Sequence, residues 1–531
     1  MDREGKMSNS DLISPNFGRL KGKRAWRQNL NLAAMSAQKI ESALGPKGAY
    51  KMVTFNRGPE RIIKVTKDSV EMLKELEVQY PAVKTLAEAA RLHREEVGDG
   101  VGTMVILIAG LLRESEALLD KKIHPNVILR GYVAATKEAI KIIDTTAVEK
   151  GDSRNQILDV ADCGRGLLTP KLRAALLEAA ERAESQGGID LKRIRVITKS
   201  GGSVADSRLI RGVMVKKERM HPSMPGELRN VKVAMVNKTF DNKPLEVLMK
   251  GQGPFHIKLD ITEAQQMEKF RAQERRLNDD LVEAVDRVGG KVVFCRAKIV
   301  KPVADEMSRR GMLAFELIDQ ADMDAVAEAT GATTVGDVKN LEAKDLGQAD
   351  RVAVEKIENL DYAVVEAAKG STIFLRGSQI EHIDETERVV KNVVRLFRNA
   401  KKDSKTVLGG GAIYMQIAEH LREFALSFPG KEQVAIEAYA RVLELVAASL
   451  VRNYGLSWSK TMPELRSYHA KGVHAMGIAA GGCTDMDKLG IRELASTPRA
   501  AIRRAYDVTS LLLRVDEYFY VRELAMVHKQ I

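Results

Sequence analysis

The hydrophobic pattern changes twice along the chain. Over 29–44 and 81–144, apolar residues recur at helical spacing, and the same spacing returns over 412–450 and 498–513. Between about 193 and 375, short β-branched runs appear instead, separated by Gly, Pro and Asn. The pattern therefore predicts helices toward both ends of the chain and a mixture of helices and strands in the middle.

The middle of the chain predicts α/β units. A helix is predicted to begin at Thr262, whose hydroxyl can cap it with Gln265 three residues later, and to end at Gly289-Gly290. The strand 291–295 follows directly. Further predicted strands are 194–198, 231–236 and 371–375. A mixed segment between two helical ones indicates an insertion, so we expect the two outer segments to close into one helical domain.

Length and charge set broad limits on the class of protein. At ~100–200 residues per domain, 531 residues predict three or four domains. The net charge of +12 raises nucleic acid as a partner, but 5% aromatic residues argue against a base-stacking binder of single strands. A basic cluster near the N-terminus favours a subunit contact or a solvated face over a nucleic-acid contact. Its members are Arg19, Lys21, Lys23, Arg24 and Arg27.

Cysteine usage and hydropathy predict a cytoplasmic protein with no membrane partner. The three cysteines are widely spaced and form no C-x-x-C pair, which is typical of a reducing compartment. The most apolar stretch, 101–112, is shorter than the ~20 residues that a spanning helix needs. Residues 1–6 carry mixed charge without the apolar region of a secretory signal.

Three glycine-rich segments are candidates for binding phosphate. They are 44–48, which contains Lys47, then 97–103, which contains Asp99, and 409–411. Each alone is explained by a helix cap or by close packing, and the first two fit neither the P-loop nor the dinucleotide pattern. Because all three border predicted helices in the two outer segments, together they indicate one nucleotide pocket built from distant parts of the chain.

An ordered set of motifs makes the sequence recognisable. The set includes S-A-L-G-P-K-G at 42–48, V-T-K-D at 65–68, E-V-G-D-G at 96–100, I-H-P at 123–125, H-P-S-M-P at 221–225, G-G-G-A at 409–412 and L-L-R-V-D at 512–516. In this order the motifs resemble the group II chaperonins, the thermosome and cytosolic chaperonin family, from about 11 to about 518. Each motif is weak alone, and the collinear set is specific.

The resemblance implies a multidomain α and α/β chaperonin fold. An all-α equatorial nucleotide-binding domain would comprise 1–147 and 404–531, and a small intermediate domain 148–212 and 370–403. An α/β apical domain, 213–369, would carry a helical lid protrusion between Thr239 and Arg276, with Met249, Phe255 and Met267 as candidate client contacts or core residues. Implied partners are non-native proteins and other chaperonin subunits, identical or different, in a double ring.

The resemblance also assigns roles in binding ATP and Mg²⁺. Asp99 matches the magnesium-binding aspartate, Asp68 a second acidic residue beside the phosphates, and Glu493 the residue that meets the ribose. Asn392 stands at the position of the catalytic aspartate. The remaining nucleotide-binding positions are Gly45, Pro46, Lys47, Gly100, Thr103, Gly410 and Gly411.

Three departures from the family pattern concern this pocket. Hydroxyl side chains expected after Gly100 are missing at Val101 and Gly102, and the polar stretch expected at 479–482 is Ala-Ala-Gly-Gly. At Asn392, an amide can hydrogen-bond water but cannot take its proton, and loss of a general base costs ~10²–10⁴ in rate. We therefore expect a chaperonin subunit with weakened ATP hydrolysis. The alternatives are a non-hydrolysing member of a mixed ring and a fully active ATPase.

Overall fold

The chain forms two compact units. The computed structural model describes residues 17–21, 23–57, 60–75, 81–149, 154–162, 166–185, 188–240, 264–515 and 517–521. The first unit combines Met1–Leu168 with Asp384–Ile531, and the second is Thr169–Ile383. Both ends of the chain thus belong to one unit. The finer division into equatorial, intermediate and apical domains stays a prediction.

Helices dominate the first unit. They are Lys23–Glu41, Ser69–Glu75, Pro81–Val97, Val101–Asp120, Pro125–Thr146, Arg154–Asp162, Ala412–Ala425, Lys431–Asn453, Trp458–Ala470 and Ser496–Leu513. The helix Ile380–Lys402 adds its residues from Asp384 onward. His124 starts one of these helices, since its Nδ1 accepts a hydrogen bond from the backbone N–H of Asn126 at 3.2 Å, with Pro125 in the first turn.

The helix Val101–Asp120 lies at the centre of this unit. Its first three turns, over 101–112, are buried on nearly all sides, as expected of a helical segment that is apolar around its whole circumference, while the last turns carry exposed charged residues. It contacts Lys23–Glu41, Pro81–Val97, Lys431–Asn453 and Ser496–Leu513. Segments far apart in sequence therefore share one hydrophobic core.

A buried carboxylate joins three helices of the first unit. Glu444 is 5% exposed and is paired with Arg466, at 2.6 Å between Nη2 and Oε2, and with Arg422. Burial alone would raise the pKa of Glu444, but the hydrogen bonds from Arg466 and Arg422 outweigh it and lower that pKa. The helices Ala412–Ala425, Lys431–Asn453 and Trp458–Ala470 are thereby linked by a charge-balanced network.

The strands of the first unit are short and form small two- and three-stranded sheets, some of which pair segments far apart in sequence. They are Phe17–Lys21, Lys51–Arg57, Glu60–Thr66, Val148–Glu149, Lys405–Leu408, Met476–Ala479, Gly482–Asp485, Arg492–Leu494 and Glu517–Val521. Lys405–Leu408 is the middle strand of a three-stranded sheet between Arg492–Leu494 and Val148–Glu149. That pairing fixes Glu493 opposite Val407.

The second unit is built on a mixed seven-stranded sheet. The strand order is Leu313–Phe315, Gly290–Cys295, Glu227–Val236, Gly347–Ile357, Leu360–Glu366 and Gly212–Val215, with Thr334–Val335 beside Glu227–Val236. Glu227–Val236 runs parallel to Gly290–Cys295 and antiparallel to Gly347–Ile357. A second sheet places Ser371–Gly377 between Ile194–Ser200 and Arg208–Ile210, and Glu184–Ser185 pairs with Gly188–Ile189.

Helices pack on both sheets of the second unit, Pro170–Arg182 on the smaller sheet and the other three on the larger one. They are Pro170–Arg182, Ala264–Arg287, Lys301–Arg309 and Gln320–Thr330, with short 3₁₀ turns at Leu191–Arg193, Val204–Asp206, Val338–Asn340 and Ala343–Asp345. The helix predicted over 262–289 is seen as Ala264–Arg287. Its proposed cap Thr262, together with Met249 and Phe255 of the predicted protrusion, lies outside the described residues, as does the side chain of Met267.

The fold class predicted from the sequence, multidomain α and α/β, is confirmed by a helical unit and a mixed α/β unit. Within the described part of the chain, no helix combines the length and the apolar character needed to cross a membrane.

Candidate functional site

One cavity in the first unit gathers segments from both ends of the chain. It has a volume of about 480 Å³, within the range of small-molecule sites. The predicted site residues that line it are Gly45, Pro46, Asp68, Asp99, Gly100, Thr103, Asn392, Gly410, Gly411 and Glu493. Lys47 is exposed and is not part of the lining. The three glycine segments therefore meet at one place, as their shared position beside helices predicts.

The segment Gly98-Asp99-Gly100 leads into the central helix by a left-handed turn. Gly98 has φ +90° and Gly100 has φ +79°, a region that favours glycine. Gly100 precedes the helix Val101–Asp120 without a side-chain cap, and Val101, Gly102 and Thr103 border the cavity. Backbone N–H groups at such an uncapped helix start attract anions, so this wall suits a phosphate group.

Gly411 allows the backbone to pass close to a helix. Its φ is +82°, and a Cβ there would lie 3.1 Å from the backbone Cα of Ala447. A larger residue would therefore be strained and would push against a rigid helix. This glycine therefore lets the segment that lines the cavity lie directly against the helix Lys431–Asn453.

Two acidic side chains, Asp99 and Glu493, line the cavity and lie near enough to repel each other. Burial, and then repulsion from Asp99, raise the pKa of Glu493 to about 8. A carboxyl that keeps its proton near neutral pH can both donate and accept hydrogen bonds, which suits a sugar hydroxyl. A cation beside Asp99 would relieve the repulsion between the two groups.

The donor set at Asp99 suits Mg²⁺. Among the described residues, no three His, Cys, Asp or Glu side chains converge on one point as a complete metal site. Mg²⁺ is ordinarily held by one or two carboxylates together with phosphate oxygens and water. Asp99, next to a helix start that attracts phosphate, offers that incomplete kind of site.

Asp68 is held by the chain around it. Its Oδ1 accepts hydrogen bonds from the backbone N–H groups of Val70 and Glu71, at 2.9 and 3.0 Å, which caps the helix Ser69–Glu75. The same Oδ1 accepts a bond from Nη1 of Arg94 at 3.1 Å. Three donors on one oxygen fix this carboxylate in place.

Asn392 lines the cavity from the helix Ile380–Lys402. Its Oδ1 accepts a hydrogen bond from Nη1 of Arg395 at 3.3 Å. The helix is seated against Gly98, because a Cβ on that glycine would lie 2.9 Å from Cβ of Arg395 and 3.0 Å from the backbone oxygen of Asn392. The side chain at 392 is thus brought to the glycine-rich turn by close packing.

Reasoning from the sequence missed several polar side chains of the lining, among them Lys67, Ser69 and Arg94. Lys67 is buried, and its Nζ donates to the backbone oxygen of Pro46 at 3.1 Å, so it ties down the loop that carries Lys47. The signal was present, since Lys67 directly precedes Asp68 in a motif.

Ser69 supplies a hydroxyl where the sequence lacks one. A Cβ built on Gly102 would lie 3.2 Å from Oγ of Ser69. The space beside Gly102, where the family pattern expects a hydroxyl side chain, therefore borders a hydroxyl from another helix. No spacing rule in the sequence connects these two positions.

The N-terminal basic cluster is described only at Arg27. Its side chain lies 2.8 Å from Asp120 and 3.7 Å from Glu116 on the central helix. Arg27 therefore forms exposed ion pairs with the central helix of its own unit.

Comparison with known proteins gives a single family. Residues 37–519 match the TCP-1/cpn60 chaperonin family. The chain is 34% identical to a thermosome subunit beta of Methanothermobacter thermautotrophicus, covering 93% of this chain and 92% of that protein. It is 32% identical to a thermosome subunit of Methanopyrus kandleri (97% and 95% covered) and to a thermosome subunit alpha of Archaeoglobus fulgidus (95% and 93% covered).

A fold of one helical and one α/β unit, with a glycine-lined cavity in the helical unit, is what the chaperonin class presents. The chain belongs to the TCP-1/cpn60 chaperonin family. Because its relatives are thermosome subunits, the predicted resemblance to group II chaperonins is confirmed.

Proposed function

We propose that this group II chaperonin subunit, which assists the folding of other proteins, binds ATP and Mg²⁺ in the cavity of its first unit and hydrolyses ATP slowly. The family is ATP-dependent in general. The weakened hydrolysis is supported by one observation above all: the side chain that borders the cavity at position 392 is an amide.

The residues fit the binding of ATP with Mg²⁺. The uncapped start of the helix Val101–Asp120 would hold phosphate oxygens, Asp99 would hold the metal ion, and Glu493 would hydrogen-bond the ribose. Bound ATP supplies a terminal phosphate that can pass to water, and Mg²⁺ neutralises charge on the phosphates.

Proton transfer is the step that the chain supports poorly. Asn392 can orient a water through hydrogen bonds, but it has no basic atom that takes the proton. Asp68 is the nearby carboxylate, and its Oδ1 is already engaged by two backbone N–H groups and Arg94. We infer that binding is retained while turnover is slowed.

A steady-state ATPase assay on the purified full-length protein tests this proposal. Asn392→Asp restores a base and is expected to raise turnover by at least tenfold. The matched control is Asn126→Asp, the same chemical change on an exposed helix of the same unit. The proposal would be overturned in favour of a fully active ATPase if the wild type hydrolyses ATP quickly, Asn392→Asp does not change the rate, and Asp68→Asn abolishes it. No turnover in either protein would favour a non-hydrolysing subunit of a mixed ring.

We further propose that the subunit works in the cytoplasm within a double ring, identical or mixed, that encloses non-native proteins. The relatives are named as subunits, some of them as alpha or beta, which supports an assembly of several chains. Electron microscopy of the purified protein with and without ATP would reveal stacked rings. A monodisperse monomer under both conditions, which then forms rings only with a second chaperonin chain, would point to the mixed assembly.

A further inference from the structure

A second cavity adjoins the nucleotide cavity in the first unit. Its volume is about 360 Å³, and its described lining comprises four basic side chains, three acidic ones and Asn392. Arg94 and Asn392 line both cavities. The two spaces therefore meet where the hydrolytic position of the family stands.

Most of the charges around this second cavity are already paired. Lys391 lies 2.6 Å from Glu387, Arg388 lies 2.5 Å from Glu385, and Glu71 lies 2.6 Å from Lys64. These pairs are balanced within the chain and demand no further ligand.

Arg395 is different. Its guanidinium donates a hydrogen bond to the neutral amide oxygen of Asn392, and within the described part of the chain no carboxylate lies at ion-pairing distance from it. Burial, and then repulsion from Arg94, lower the pKa of the Arg395 guanidinium. Arg94 and Arg395 therefore lie near each other, with the amide of Asn392 beside Arg395. The carboxylates of Glu95 and Asp68 act on Arg395 from beyond ion-pairing distance.

The packing of the helix holds Arg395 in this position. Its Cβ lies against Gly98, where a Cβ would approach to 2.9 Å. Arg94 is anchored from the other side by Asp68 at 3.1 Å and by Glu71 at 3.7 Å. Both arginines are therefore fixed beside the turn Gly98-Asp99-Gly100, at the phosphate end of the nucleotide cavity.

We propose that Arg94 and Arg395 together form a binding site for a phosphate dianion at the junction of the two cavities. Planar guanidinium groups match phosphate oxygens in a bidentate geometry. The inference rests on the proposed function, because the dianion is either the terminal phosphate of bound nucleotide or the inorganic phosphate released from it.

Asn392 has a second consequence in this arrangement. A carboxylate at position 392 would lie beside Arg395 and repel a dianion, whereas the amide adds no negative charge. The substitution that removes a base therefore also permits the arginines to hold phosphate. The site retains phosphate where an aspartate would favour its departure.

The test is binding of inorganic phosphate to full-length protein, titrated by calorimetry without nucleotide and with ADP. Wild type is expected to bind phosphate at least tenfold more tightly than Arg395→Met and Asn392→Asp. Arg91→Met serves as the matched control, since Arg91 is exposed on the same helix as Arg94 and pairs with Glu88 and Glu95. Thermal unfolding establishes that each variant is folded. If Arg395→Met does not fold, the Asn392→Asp variant alone tests the site.

The same variants separate the two sources of the dianion. If Arg395→Met weakens ATP binding at least tenfold but spares ADP binding, the terminal phosphate occupies the site. If it weakens only the binding of inorganic phosphate, the released product does. If neither phosphate binding nor ATP binding changes in Arg395→Met or Asn392→Asp, the proposed phosphate site is wrong, even if the protein binds ATP and hydrolyses it slowly. If the wild-type protein does not bind ATP, the proposed function is refuted instead. The titration of nucleotide-free protein with phosphate can still be carried out in that case, so the two failures are distinguishable.

Discussion

Two places in the first unit bring a pair of arginines together, and they differ in what lies between the guanidinium groups. Arg422 and Arg466 share the buried carboxylate of Glu444. Arg94 and Arg395 repel each other, and the Asp68 carboxylate that pairs with Arg94 lies beyond ion-pairing distance of Arg395. The first pair is complete within the chain and acts as scaffold. In the site that we propose, the second pair is completed by an anion from outside, which is how a ligand site differs from a structural ion pair.

Removing the shared carboxylate should have the largest effect. Glu444→Gln leaves two arginines facing each other without their buried partner, so we expect the free energy of unfolding in urea to fall by about 3–5 kcal/mol. Glu423→Gln, an exposed change on a neighbouring helix, should leave it unaltered. A loss no larger than that of the control would mean that Arg422 and Arg466 are stabilised in some other way.

Protonating Glu444 should reproduce part of that loss. Since its pKa in the folded protein is lowered, its stabilising contribution is present above the ordinary glutamate value, ~4.3, and is lost as pH falls through the folded value. The melting temperatures of wild type and Glu444→Gln, measured between pH 6 and pH 3, should therefore converge toward acid pH. Parallel curves would contradict the assignment.

The two arginine pairs should respond oppositely to the same substitution. Arg466→Met removes a partner of a buried carboxylate and should destabilise the protein. Arg395→Met removes a desolvated, repelled cation, and without phosphate or nucleotide it should stabilise the protein by about 1 kcal/mol or leave it unchanged. Urea unfolding of both variants checks the signs. Clear destabilisation by Arg395→Met would show that this arginine is scaffold too.

An exposed arginine should matter least. Arg91 pairs with Glu88 and Glu95 on the surface of its helix, where water and salt screen the charges. Arg91→Gln should leave the melting temperature unchanged within error at physiological salt. A measurable drop in the melting temperature would mean that the exposed ion pairs of Arg91 contribute more to stability than their exposure to solvent predicts.

The sequence predicted the fold class well because periodicity and glycine position are local properties. The apolar run beginning at Val101 became the central helix, and the β-branched runs became strands of the second unit. The turns that approach the cavity contain glycines with positive φ, such as Gly100 and Gly411. A glycine at a turn next to a predicted helix can be recognised in the sequence.

The charge arrangement at the cavity could not be predicted in this way. Arg94 and Arg395 come from segments far apart along the chain, and no spacing rule relates them. The same holds for Ser69 beside Gly102. Lys47 shows the opposite error, because it was predicted to bind nucleotide but is exposed outside the cavity lining. Lys67, which donates a hydrogen bond to Pro46 in the same loop, lines the cavity instead. Side-chain direction is set by packing that sequence patterns do not report.

The central helix Val101–Asp120 also has a consequence for synthesis on the ribosome. Two of its packing partners, Lys431–Asn453 and Ser496–Leu513, are translated several hundred residues later. At ~5–20 residues per second, its apolar surface waits roughly 20–75 s before Ser496–Leu513 is made. Throughout that interval, the part of its apolar surface that these two helices cover in the folded unit lacks its native partners.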